Sequence, residues 1–196
     1  MKIYDISQEV FSCRVYPGDP APKKRVLCSM EKGELYNLTA FDMCAHNGTH
    51  IDVPFHFFRE GETVEQVELT SFVGPAYVAQ AQGRLGAEEA QGILERAKAQ
   101  DPAAAQRILL QGEAEVTRSA ARVFAQAGIG LLGTESQSVG PLAAPMEVHR
   151  VLLGARVILL EGLCLKGISP GAYFLCAAPL KLAGADGAPC RALLIC

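Results

Sequence analysis

Between residues 46 and 56 the chain reads His-Asn-Gly-Thr-His-Ile-Asp-Val-Pro-Phe-His. Three of its four histidines fall in this stretch, with an aspartate between two of them. Imidazole and carboxylate together are the ligand set of zinc, manganese or iron. Whatever fold forms must satisfy these groups, because clustered imidazoles buried without polar partners are costly. His46, His50, Asp52 and His56 all stand at even positions. In an extended backbone alternate side chains share a face, so all four can point one way. A helix would align His46 with His50 but turn Asp52 about 200° from His50. Gly48 and Pro54 also oppose a helix interior. The segment is therefore expected to be a strand-and-loop ribbon, with Gly48 at the bend and Pro54 interrupting the ladder.

The fourth histidine, His149, lies in a segment expected to be helical from Glu147 to Leu153. Twelve positions later Glu161 closes the apolar run Val157-Ile158-Leu159-Leu160. A carboxylate at the end of a buried strand wants a partner. Taken alone, Glu161 reads equally well as a salt-bridged strand-end residue. Taken with His149 and the first cluster, it suggests a second pair of ligands.

At 196 residues the chain is expected to form a single domain spanning 1–196. Helices are expected at Ala87–Ala99 and Thr117–Ala127, with Ile93, Leu94 and Ala97 as the inner face of the first. Strands are expected at Ile3–Val10, Leu35–Met43, Val73–Ala79, Arg107–Leu110, Ile129–Leu132, Val157–Leu160, Phe174–Pro179 and Arg191–Ile195, with a turn at Pro170–Tyr173. Helices and strands alternate in the middle between strand-rich ends, which predicts an α/β domain with a mixed sheet.

Several function classes drop out. The formal net charge is −3, so no basic excess exists to bind a phosphate backbone and no nucleic-acid partner is expected. No glycine-rich phosphate loop opens a helix. The apolar stretch Val151–Leu165 is broken by Arg156 and Glu161 and is too short to cross a bilayer, so no membrane partner is expected. The first residues show no signal-peptide pattern, and the expected location is the cytoplasm. Seven cysteines form no C-x-x-C pair and are expected to be reduced.

The eleven-residue motif resembles the H-x-G-T-H-x-D-x-P-x-H signature of the cyclase-like metal-dependent hydrolases, whose best-defined members are bacterial kynurenine formamidases. Every fixed position of that signature is filled. The similarity extends to Tyr4-Asp5-Ile6-Ser7, to the Pro17-Gly18-Asp19 turn, to Gly133–Val139, to His149 and Leu159-Leu160-Glu161-Gly162-Leu163, and to the tail from Ala178 to Ala192.

The resemblance implies a swivelling β/α/β domain, usually dimeric, that holds two divalent ions, zinc or manganese. It implies His46 and His50 on one ion, His149 on the other, and Asp52 and Glu161 bridging both. It implies His56 as acid/base rather than ligand. The substrate would be a small amide. Tyr16 stands where formamidases carry a tryptophan against the substrate ring, Glu135 replaces an aspartate, Gln137 replaces a proline, and Gln111-Gly112-Glu113 occupies the usual site of an arginine. Two other readings share the ligand set: a hydrolase acting on another cyclic or aryl amide or ester, and a non-catalytic metal-binding module. Structural zinc sites favour closed, cysteine-rich shells, whereas histidine and carboxylate leave open positions for water.

Overall fold

The computed structural model describes residues 1–196. Thirteen strands and three helices form. The strands are β1 (Ile3–Asp5), β2 (Lys23–Cys28), β3 (Leu38–Asp42), β4 (His50–Asp52), β5 (Val73–Gln80), β6 (Gly83–Leu85) and β7 (Arg107–Gln111). They continue with β8 (Ala114–Val116), β9 (Leu131–Thr134), β10 (Ile158–Glu161), β11 (Gly171–Cys176), β12 (Gly187–Pro189) and β13 (Leu193–Ile195). The helices are α1 (Ala87–Gln100), α2 (Arg118–Ala127) and α3 (Pro145–Gly154).

Nine strands make one mixed sheet in the order β1-β13-β11-β5-β7-β9-β10-β4-β12. Its centre, β5-β7-β9-β10, is parallel, and the strands on either side are antiparallel. Both faces of the parallel centre are covered, as such sheets require. Ile108, Leu110, Leu132 and Leu159 point into a core shared with α1, α2 and α3. Leu109, Leu131, Ile158 and Leu160 point into a second core on the other face, with Ile51, Val53, Val78 and Leu194. The apolar runs in β7 and β10 are continuous because each residue has a core to enter. The mixed α/β fold expected from the sequence is therefore present, and β1 and β13 pair with each other within the one sheet.

The inner face of α1 is Ala90, Ile93, Leu94 and Ala97. Thr117 caps α2, its hydroxyl accepting the Ala120 N–H at 3.3 Å. No helix is long and apolar enough to cross a membrane. The hairpin β2–β3 stands outside the main sheet as a separate two-stranded arm.

Some expectations need correction. The first strand ends at Asp5, because Gln8 turns to donate its N–H to Thr49 Oγ1 at 2.9 Å and Glu9 caps a short 3-10 turn. The expected turn at Pro170–Tyr173 lies mostly within β11, where Gly171, Ala172 and Tyr173 pair with Val78, Tyr77 and Ala76. Short β6, β8 and β12 carry no strand signal of their own and form beside ready partners.

Candidate metal centre

Only His50–Asp52 of the histidine-rich segment is strand, so the extended-ribbon expectation is right for two of its four positions. His50 and Asp52 share a face, as alternate strand residues must. Asn47 sits in the turn before β4, and Gly48 bends there at φ +67, a left-handed conformation suited to glycine. Its carbonyl faces His50 Nδ1 at 3.0 Å, leaving Nε2 directed to the site. Pro54 starts a 3-10 turn, and this turn rather than a strand carries His56.

Glu161 arrives from the carboxyl end of the parallel strand β10, the end at which open α/β sheets form ligand sites. Antiparallel pairing of β10 with β4 sets Glu161 directly opposite His50. Facing residues of such a pair share a side of the sheet. That side is the helical one, and α3 supplies His149. The His149 ring donates through Nδ1 to the Pro145 carbonyl at 2.8 Å, one turn earlier, which turns Nε2 toward the carboxylates.

Asp52 places Oδ1 3.4 Å from His50 Nε2 and Oδ2 3.6 Å from His149 Nε2. Glu161 places Oε2 3.6 Å from His50 Nε2 and Oε1 3.3 Å from His149 Nε2. These spacings exceed hydrogen-bond length. They match the roughly 3.4 Å between two atoms bound tetrahedrally to one zinc at about 2.0–2.1 Å. Both carboxylates are about 2% exposed or less, and neither has a lysine or arginine partner. Buried negative charge of this kind needs cations, and the donor set fits divalent ones. Glu161 Oε1 also accepts the Val139 N–H at 2.7 Å, which fixes the carboxylate plane.

The imidazoles carry the balancing charge when protonated. Burial opposes a charged His149 ring, but Glu161 and Asp52 outweigh it and push His149 up to about 8. Burial likewise opposes a charged His46, and Asp186 with Asp52 pushes it up to about 11. His50 moves in the same direction for the same reasons. Asp52 is drawn upward by burial, but His46 and His50 hold it below the ordinary carboxylate range.

The six titratable residues expected from the sequence therefore line one cavity of about 280 Å³. Tyr16 is on its wall as expected, half-buried, with Asp19, Phe57, Gln137 and Ser138. Of the three phenylalanines next to His56, Phe57 lines the cavity and packs against His149 at 5.0 Å between centroids. Phe58 packs on the helical core, and Phe55 is exposed. Cys44 is not on the cavity wall, and all seven cysteines are free. Glu135, which replaces the usual aspartate, is a backbone clamp: its carboxylate accepts the N–H groups of Gly112 at 2.6 Å and Leu165 at 2.7 Å.

Two groups were not singled out as site residues in the sequence, Ser138 within the Gly133–Val139 segment and Asp186. Ser138 Oγ is buried without a hydrogen-bond partner on a residue that lines the cavity. Asp186 reaches the rim, with Oδ2 2.8 Å from His46 Nε2 and 2.8 Å from His56 Nδ1. Its only sequence signal was an acid among small residues, Gly184-Ala185-Asp186-Gly187-Ala188, a pattern that reads as a turn.

Comparison with known proteins shows the family. The Cyclase family model, described as "Putative cyclase", matches residues 4–141 and so includes the whole histidine-rich segment. The kynurenine formamidase of Salinibacter ruber is 33% identical, over 99% of this chain and 97% of that protein. The kynurenine formamidase of Geobacillus thermodenitrificans is 34% identical, over 97% of this chain and 95% of that protein. A solved structure described as a "Potential Metal-Dependent Hydrolase With Cyclase Activity" superposes with a TM-score of 0.81 at 30% identity, covering 98% of this chain and 96% of that one. With the family model matching most of its length and relatives aligned end to end, the chain belongs to the cyclase family.

Proposed function

We propose that the protein is a metal-dependent amide hydrolase of the kynurenine formamidase type, converting N-formylkynurenine and water to kynurenine and formate. The observation that carries this reading is the pair of buried carboxylates, each offering one oxygen toward His50 and the other toward His149. Two carboxylates that each face two imidazoles suit two divalent ions, zinc or manganese. His46 and His50 would hold one, His149 the other, and Asp52 and Glu161 would serve both.

Bound divalent metal supplies a nucleophile from water at neutral pH and Lewis acidity toward the substrate carbonyl. The chain does the rest. Asp52 and Glu161 hold the charge in place, and the backbone bonds of His50 and His149 keep their ligating nitrogens turned inward. His56 Nδ1 is engaged by Asp186, so its Nε2 remains for proton transfer. As the carbon–oxygen bond forms and the carbon–nitrogen bond breaks, a proton must pass from water to the departing nitrogen. His56 carries it, since imidazole exchanges protons near neutrality. Tyr16 and Phe57 provide the aromatic wall, and Ser138 offers a hydroxyl to the substrate.

We place the whole of residues 1–196 in one catalytic domain that works as a homodimer. The arm supports the dimer: Val26, Leu27, Tyr36 and Phe41 are exposed along it, and Leu35 is 94% exposed at its tip. Seven free thiols support a cytoplasmic setting.

The test is the hydrolysis rate of N-formylkynurenine by protein reconstituted with zinc or manganese, against a chelator-stripped control. A fast, metal-dependent rate is expected. A metal-dependent rate confined to other cyclic or aryl amides or esters would move the substrate and keep the chemistry. A protein that binds metal tightly and hydrolyses none of these would be a metal-binding module.

A further inference from the structure

Asp186 is outside the ligand set described above, yet its carboxylate is the closest charged group to His56. One oxygen, Oδ2, serves two rings at hydrogen-bond length, His56 Nδ1 and His46 Nε2, both at 2.8 Å. The carboxylate oxygens that face His50 and His149 are spaced differently, at 3.3–3.6 Å, whereas His46 meets Asp52 Oδ1 through Nδ1 at 2.7 Å. Asp186 therefore makes hydrogen bonds where Asp52 and Glu161 present ligand spacings to His50 and His149.

Its position is built by the backbone on both sides. The Asp186 carbonyl accepts the Val53 N–H at 3.2 Å, and Ala185 accepts that of Val64 at 3.0 Å. The next residue, Gly187, pairs with Asp52 across the β4–β12 ladder. A Cβ at Gly187 would lie 2.6 Å from His46 Cε1 and 2.7 Å from the Ile51 carbonyl. Only glycine lets the edge strand come close enough for the carboxylate to reach both rings. The two rings themselves lie 4.3 Å apart between centroids.

We propose that Asp186 is a positioning residue for His56: it accepts the Nδ1 proton, fixes that tautomer, and leaves the Nε2 lone pair facing the cavity. The proposal rests on the reading of His56 as the proton carrier. A carboxylate behind an imidazole selects its tautomer and stabilises the imidazolium that forms when the outer nitrogen takes a proton. In the present reaction Nε2 receives the proton lost by water and returns it to the departing nitrogen, while Asp186 stays ionised. Asp186 acts through His56 rather than on the reacting atoms. Its second hydrogen bond, to His46, ties the proton carrier to a ring of the metal site.

The experiment compares the native protein with Asp186→Asn, nearly isosteric, and Asp186→Ala. Nitrogen-15 spectra correlating ring carbons with ring nitrogens report the tautomer of His56 in the metal-free protein, with His56→Ala identifying the signals. The native protein should show a protonated Nδ1 and a bare Nε2, and both Asp186 variants should lose that preference. In the zinc-loaded enzyme kcat should fall about 10²-fold, with KM within about twofold of native and metal content unchanged. An unchanged tautomer with unchanged kcat would overturn the proposal. Loss of bound metal in both variants would also overturn it, by making Asp186 a ligand. If native enzyme hydrolyses no amide while the tautomer still depends on Asp186, the functional reading fails and the positioning role stands.

Discussion

Glu161 lies directly across the β4–β10 ladder from His50, and its Oε2 comes 3.6 Å from His50 Nε2. The same carboxylate turns Oε1 to His149 at 3.3 Å. One side chain therefore faces both histidine poles of the site. Glu161→Gln keeps the shape but removes the charge. Metal analysis of the purified variant should find fewer ions per chain than in the native protein. Full retention of the native metal content would exclude a bridging role for Glu161.

His56 stands apart from that pair. Its Nδ1 is hydrogen-bonded to Asp186 rather than spaced as a ligand. His56→Ala should therefore keep its metal and lose turnover by about 10²–10⁴-fold. Metal content and kcat measured on the same preparation decide the point. Joint loss of metal and activity would move His56 into the ligand set.

The metal-free protein should show a pH-dependent melting temperature set by its imidazole–carboxylate cluster. His149 is raised from 6.5 to about 8 by Glu161 and Asp52 against the effect of burial. A group raised on folding stabilises the fold fully below its unfolded value, and that contribution is lost as pH rises through the folded one. The loss is on the order of 2 kcal/mol. Asp52 acts at the other end. It is held low by His46 and His50 despite burial, so its contribution is present above the ordinary carboxylate value and lost on acidification. Thermal melts in chelator should fall between about pH 6.5 and about pH 8.5. Saturating zinc replaces these protons and should flatten that fall. A chelated protein whose melting temperature rises across the range would contradict the cluster's role.

The arm is the test of assembly. Leu35 is almost fully exposed and Phe41 is half exposed, its ring edge-on to Phe11 at 6.3 Å between centroids. Exposed apolar area of this kind marks an interaction surface. Native protein should sediment as a dimer, and Leu35→Asp should shift it toward monomer with its metal content unchanged. A native monomer at micromolar concentration would remove the dimer from the proposal.

Much of the site was legible because its residues are chemically unusual where they stand. Three histidines and an aspartate within eleven residues announced a shared cluster, and Glu161 stood out as a charge closing an apolar run. The apolar runs of β7 and β10 were legible because both faces of a parallel sheet are buried. Asp186 was not legible, since an acid beside glycine between alanines is ordinary turn chemistry. Its role comes from β12, a three-residue edge strand ending in proline that exists only because β4 offers it a ladder. The turns that bring His46 and His56 alongside β4 were likewise hidden. Side-chain alternation describes strands, and these two residues lie outside one.

The order of the sheet also dictates when the chain can work. β4 lies between β10 and β12, and β1 pairs with β13. The histidine-rich segment is synthesised early, whereas Glu161 and Asp186 follow far later in the chain. At ordinary elongation rates the ribosome takes on the order of ten seconds to cover that interval. Throughout it the nascent chain displays imidazoles without their full carboxylate shell. Pairings between strands so far apart in sequence, such as β1 with β13, carry the largest loop-closure cost in the sheet. The complete site can therefore assemble only after the segments carrying His149 and Glu161 have been made, about a hundred residues behind the first histidines.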